Sequence, residues 1–215
     1  MQPDPSDNPP RPSPAIRAVV FDFGNVLCTF DVKLLARNLA QVSGIPVEQI
    51  GEGLTKFRDI AERYETGLIS TEAFLEGIVE RTGVRVSSEQ LRTAYCAIFA
   101  PIPESFELVR RLKPRYKLGL LSNTSELHFQ CAIKPVEVFP LFDAVTVSFE
   151  VKAMKPSPRI YRDMLDKLAL PASVCVYVDD LADNVRAAEE LGFHATLYRS
   201  AKELRLFLRE RGVQF

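Results

Sequence analysis

The chain has 215 residues, 47% of them hydrophobic, with 27 Lys and Arg against 28 Asp and Glu, a formal net charge of -1. Such a length suits one domain with a modest insert, and such a composition fills a core, which sets aside fibrous and fully disordered classes. Balanced charge provides no broad basic surface, so no nucleic-acid partner is expected.

Residues 1–14 carry prolines at 3, 5, 9, 10, 12 and 14, a composition that favours extended backbone and predicts a disordered tail. From Ala15 the run AIRAVVF is short, apolar and rich in β-branched residues, and it ends in the turn-like DFGN. A buried parallel strand reads this way. Segment 32–100 differs, because KLLARNLAQV, VEQIGEGLTKF, TEAFLEGIVERT and SEQLRTAYCAIF have helical apolar spacing and no convincing strand. It is predicted to be an inserted helical cap, with helix N-caps near Ser70 and Ser87.

Strand-like runs return at Lys117 to Leu121, Ala144 to Val147, Val174 to Val178 and His194 to Tyr198. Helical patterns lie at Arg159 to Leu168, Asn184 to Leu191 and Ala201 to Arg211. Alternation of this kind predicts an α/β fold, a Rossmann-like doubly wound parallel sheet formed by 15–31 and 101–215. No apolar run approaches the roughly 18–20 residues that span a bilayer, and no signal-peptide pattern opens the chain, so no membrane partner and a cytoplasmic location are expected. Cys28, Cys96, Cys131 and Cys175 form no C-x-x-C pair and are expected to be free thiols. His128 and His194 are too few and too far apart for a zinc centre or a Ser-His-Asp triad.

In an open α/β sheet, residues just past the carboxyl ends of adjacent strands converge on one crevice. Four such endings stand out: Asp22 in VVFDFGNVL, Ser122 and Asn123 in LGLLSNTS, Lys155 in VKAMKPSPRIY, and Asp179 and Asp180 in CVYVDDLADN. Singly each is an ordinary turn or cap residue; four in order make a site. Three carboxylates repel one another unless a cation joins them, and oxygen ligands suit magnesium. A hydroxyl and a fixed lysine complement a dianion whose oxygens gather charge during transfer, which points to a phosphate ester.

FDFGNVL, LLSNT, KPSPRIY and VDDLADN resemble, in order, the motifs of the haloacid dehalogenase superfamily, and segment 32–100 resembles the cap of its phosphatase-rich subfamily. The motifs are most similar to those of sugar-phosphate phosphatases of the α-glucose-1-phosphate type. The resemblance implies a hydrolase of phosphate monoesters of small metabolites. In it Asp22 is the nucleophile and forms an aspartyl-phosphate, and Lys155 neutralises charge. Ser122 and Asn123 bind the phosphoryl oxygens, and magnesium is held by Asp22, the Gly24 carbonyl and Asp180. Asp179 is a further ligand or a supporting partner, and Asn184 orients the cluster.

Gly24 departs from the family's D-x-D signature, whose second Asp carries the proton; loss of such a group costs about 10²- to 10⁴-fold. Asp31 is one alternative proton carrier, although a helix N-cap is its simpler role. For Phe57, Tyr64 and Glu65 in the cap, contact with substrate is one reading and core packing or exposure the preferred one; for His128, facing the cleft is one reading and a helix surface the preferred one. Two other readings stay open: a metal-free 2-haloacid dehalogenase, and a non-catalytic phosphate-binding protein.

Overall fold

The computed structural model describes residues 15–215, so the proline-rich segment expected to be disordered lies outside the described residues. The chain begins with β1 (Ala18–Phe21) and β2 (Cys28–Phe30), followed by α1 (Val32–Ser43), α2 (Val47–Thr55), α3 (Arg58–Glu65), α4 (Thr71–Thr82) and α5 (Ser88–Cys96). It continues through β3 (Phe99–Pro101), α6 (Pro103–Leu112), β4 (Lys117–Ser122), α7 (Glu126–His128), β5 (Ala144–Val147) and α8 (Ser148–Val151). The last elements are α9 (Pro158–Leu168), β6 (Cys175–Asp179), α10 (Ala182–Glu190), β7 (His194–Leu197) and α11 (Ala201–Glu210).

Five strands form a parallel sheet in the order β5-β4-β1-β6-β7, an α/β doubly wound arrangement. Alternate residues of a strand face opposite sides. Val19, Phe21, Leu118, Leu120, Val176 and Val178 pack with α6 and α11, whereas Ala18, Val20, Leu121 and Tyr177 pack with α9 and α10. Both faces being covered, the strands read as continuous apolar runs rather than alternating ones. Close packing is demanded at Gly119, where a Cβ would lie 2.7 Å from the Met164 sulfur on α9.

Helices α1 to α5 enclose a separate core that includes Leu39, Ile50, Phe74, Ile78 and Leu91. Asp31, Ser70 and Ser87 cap α1, α4 and α5, the last as a reciprocal capping box with Gln90. The insert leaves and rejoins the sheet domain through an antiparallel ribbon of β2 and β3, paired from Cys28 with Pro101 to Phe30 with Phe99. Neither ribbon strand is expected from sequence, because three residues are too few to display a period. No helix among the described residues is long and apolar enough to cross a membrane.

The expectation of four free thiols fails for one pair. Cys96, at the end of α5, is bonded to Cys131, in the π-helical turn Phe129–Ile133 that extends α7, while Cys28 and Cys175 remain free and buried. Cysteine spacing does not reveal such a pairing, since the partners lie 35 residues apart and meet only through the packing of insert on sheet domain.

A loop closed across 35 residues is worth about 3–4 kcal/mol in the chain-entropy account. Reductant should therefore lower the thermal midpoint by on the order of 10 °C, and a Cys96→Ser variant should already sit at the lower value and ignore reductant. Thiol titration of denatured protein should find two groups without reductant and four with it; four in both states would contradict the bond.

Candidate active site

The register of β1, β4 and β6 brings the four sequence motifs to one edge of the sheet. Phe21 pairs with Leu120 on one side and Val178 on the other, so Asp22 emerges beside Asp179 with Ser122 close by. The chain winds outward from β1 to β4 and β5 before crossing back to β6, which makes β1 the switch point where an α/β sheet opens a crevice. Asp22, Ser122, Lys155, Asp179 and Asn184 are all buried there.

Lys155 is the hub. Its Nζ lies 2.7 Å from Asp22 Oδ1, 2.7 Å from Asp179 Oδ2 and 3.2 Å from the Leu121 carbonyl, one acceptor for each of its three protons. Burial works against its charge, but Asp22 and Asp179 outweigh it and hold the ammonium above its usual range. Asn123 fixes the lysine from behind: its Oδ1 accepts from the Lys155 N–H at 2.7 Å and its Nδ2 donates to the Lys155 carbonyl at 3.0 Å.

Asp179 is saturated. Its Oδ1 accepts from the Leu181 N–H at 2.8 Å and from Asn184 Nδ2 at 3.0 Å, and its Oδ2 accepts from the Lys155 ammonium and the Tyr177 hydroxyl. Asp22 and Asp180 are not saturated. Asp22 takes both of its donors, the Phe23 N–H and Lys155, on Oδ1, and Asp180 takes one, Asn25 Nδ2 at 2.9 Å, on Oδ2. Burial, reinforced by the charge of Asp179 and opposed by Lys155, pushes the Asp22 carboxyl up to about 7. Carboxylate oxygens of Asp22, Asp179 and Asp180 lie within 4.8 Å of one another, with a single lysine to balance them. An all-oxygen donor set with two unpartnered carboxylate oxygens fits a hard divalent cation.

A cavity of about 190 Å³ opens from this edge towards the insert. Gly24, Ser122, Asn123 and Thr124 line its sheet side, while Phe57, Glu65, Phe74 and Tyr95 line the insert side. The segment after α3 is pressed onto the sheet domain. The Ser148 hydroxyl lies 2.5 Å from the Glu65 carbonyl and 3.0 Å from that of Thr124, and it accepts from the Thr124 N–H at 2.9 Å. Two residues on, Gly67 has φ +66°, and a Cβ there would lie 2.3 Å from the Phe149 carbonyl oxygen, so only glycine fits.

His128 corrects the expectation of a surface residue. It is buried in the cavity wall with its ring stacked on Tyr95 at 3.8 Å, its Nε2 lies 3.2 Å from the Tyr95 carbonyl oxygen, and burial pulls it down to about 4. Asp31 stands apart from the cluster as the cap of α1, accepting from the Lys33 N–H at 2.8 Å and pairing with Arg37. Of the two alternatives left for Phe57 and Tyr64, packing holds: both are buried, and Phe57 also lines the cavity. Sequence reasoning misses Asn25 and Tyr177, although both lie inside the motifs FDFGN and VYVDD that it singles out.

A family model described as haloacid dehalogenase-like hydrolase matches residues 16–192. The chain belongs to this family. Phosphatase MT3486 of Mycobacterium tuberculosis is 30% identical over 195 residues, covering 85% of this chain and 87% of its own length. The D-ribitol-5-phosphate phosphatase of Bacteroides thetaiotaomicron is 25% identical over 83% of this chain and 89% of its own. A HAD family enzyme from Bacteroides thetaiotaomicron, solved with magnesium and inorganic phosphate, superposes with a TM-score of 0.76 at 26% identity, covering 86% of this chain and 95% of that one.

The two acid–lysine contacts predict a stability effect. Replacing Lys155 by Met leaves Asp22 and Asp179 without their cation and should lower the unfolding free energy by about 3–5 kcal/mol. Urea denaturation in metal-free buffer measures it, and a loss below about 1 kcal/mol, the value typical of an exposed pair, would contradict the hub.

Proposed function

We propose that the chain is a magnesium-dependent phosphomonoesterase acting through an aspartyl-phosphate on Asp22. One observation carries the reading: three carboxylates and a buried lysine meet at the carboxyl ends of adjacent parallel strands, and their chain neighbours Phe23, Gly24, Ser122 and Asn123 line a cavity beneath the insert. The names of the relatives support the same class of reaction.

In this reading Asp22 attacks phosphorus, held by the Lys155 ammonium and the Phe23 N–H. Ser122 and the Asn123 backbone receive the phosphoryl oxygens, and Lys155 balances their charge. Asp22, the Gly24 carbonyl and Asp180 are the residues to hold magnesium, with Asp179 and Asn184 fixing the geometry around them. Bound there, the ion would neutralise the carboxylates and polarise the phosphoryl group. Splitting hydrolysis into formation and breakdown of an acyl phosphate replaces one difficult step by two easier ones.

The substrate is a small phosphorylated metabolite, with a sugar phosphate the favoured class. A cavity of about 190 Å³ walled by Phe30, Phe57, Phe74 and Phe99 accepts a compact carbon skeleton against aromatic faces. Docking of the insert would keep bulk water from the first step.

A panel of phosphate esters with and without magnesium tests the reading. Phosphate release should vanish with chelator and return with magnesium, and Asp22→Asn should lower it by on the order of 10³-fold or more. A fully active Asp22→Asn variant rejects the nucleophile, and halide release from 2-haloacids that persists in chelator indicates the dehalogenase reaction instead.

A further inference from the structure

The reaction proposed above needs a proton for the departing ester oxygen, and Gly24 has none to give. The space where a side chain at 24 would begin is also bounded by an aromatic ring, since a Cβ there would lie 3.3 Å from Phe30. The proton must come from elsewhere in the cavity.

Three cavity-lining side chains carry exchangeable protons on groups of suitable type: Tyr95, His128 and Glu65. Tyr95 stacks on His128, and burial holds its phenol far above the neutral range. His128 is kept neutral by burial, with its Nε2 against the Tyr95 carbonyl. Glu65 differs from both. No hydrogen bond or ion pair among the described residues engages its carboxyl; the nearby Lys152 ammonium instead donates to the Gly67 carbonyl at 2.6 Å. Its own backbone is fastened to the loop after Ser122 by the Ser148 hydroxyl, which touches both the Glu65 and the Thr124 carbonyls. The side chain therefore enters the cavity from a point locked to the phosphate-binding loop.

From this placement, and resting on the phosphatase reading, we infer that Glu65 is the acid and base of the reaction, supplied by the insert in place of the side chain absent at Gly24. In the first step Asp22 bonds to phosphorus, the ester P–O bond breaks, and protonated Glu65 gives its proton to the leaving oxygen, releasing the alcohol. In the second, water bonds to phosphorus, the Asp22 P–O bond breaks, and the Glu65 carboxylate takes the water proton. Inorganic phosphate leaves, and both carboxyls return to their starting forms. Burial, with the charge of Glu62 on the same helix, pushes Glu65 up to about 7, where a carboxyl serves both steps near neutrality.

Glu65→Gln keeps the shape and breaks no contact of the carboxyl, so the variant should melt with the wild type. Two substrates separate the roles: a simple alkyl phosphate, whose leaving oxygen needs a proton, and 4-nitrophenyl phosphate, whose leaving group does not. On the alkyl ester the variant should lose about 10²-fold or more in kcat. On the aryl ester it should release one nitrophenolate per enzyme in a fast burst and then turn over slowly, because the water step lacks its base. An equal loss on both esters without a burst, a raised KM at unchanged kcat, or no effect would each overturn the assignment to Glu65. Wild type that hydrolyses neither ester, or an Asp22→Asn variant that hydrolyses both, would instead defeat the phosphatase reading itself.

Discussion

A buried ammonium shared by two buried carboxylates organises this molecule. Lys155 is 5% exposed and Asp179 fully buried, so neither charge survives without the other, and the desolvation of each must be repaid by close contacts. That requirement propagates outward. Tyr177, the Leu181 N–H and Asn184 complete the shell of Asp179, and Asn123 clamps the lysine backbone from the neighbouring loop. With Asp179 committed on both oxygens, its neighbours Asp22 and Asp180 each retain an oxygen without a hydrogen-bond partner among the described residues. One ion-pair network thus sorts three chemically alike aspartates into one that is held and two that are available.

A second constraint is the seating of the insert. At one end the Glu65 to Gly67 turn sits on α8, where the Ser148 hydroxyl, the Lys152 ammonium and the absence of a Cβ at Gly67 allow backbone to meet backbone. Near α7, the Leu127 N–H donates to the Tyr64 hydroxyl at 3.1 Å, the Tyr95 and His128 rings stack, and the Cys96–Cys131 bond closes the contact covalently. Two separate fastenings define the orientation of the insert better than the short β2–β3 ribbon could alone.

Legibility in the sequence follows from how local each cause is. The inner strands β1, β4 and β6 could be read because burial on both faces writes a nearly unbroken apolar run, and the polar residues ending these three runs mark the site without reference to any other element, whereas the edge strands β5 and β7 are less buried. Helix α6 is not anticipated. Its Pro103 at the first turn follows Pro101 so closely that the pair reads as loop, although Phe106, Val109 and Leu112 fall on one buried face. The cysteine pair was illegible, and the cavity placement of His128 and Glu65 only a secondary reading, for another reason: each takes its environment from the insert–sheet contact, and no spacing rule reaches across 33 or 35 residues.

Gly24, Phe30 and Glu65 together change what closure means in this protein. Where the family signature places a carboxylate one residue beyond the nucleophile's neighbour, this chain has a bare backbone and the Phe30 ring, which also packs against Phe99 on the ribbon at 6.2 Å. In the proposed reaction the sheet edge supplies Asp22, Lys155 and Asp180, the groups assigned there to nucleophile, charge balance and cation binding. With proton transfer assigned to Glu65, cleavage of a poor leaving group depends on α3 being seated on Ser148, as it is in this structure. A substrate small enough for the cavity beneath the seated insert reaches the assigned proton donor, and one too bulky for it does not. Specificity in that reading follows from fit under the insert as much as from contacts to the substrate.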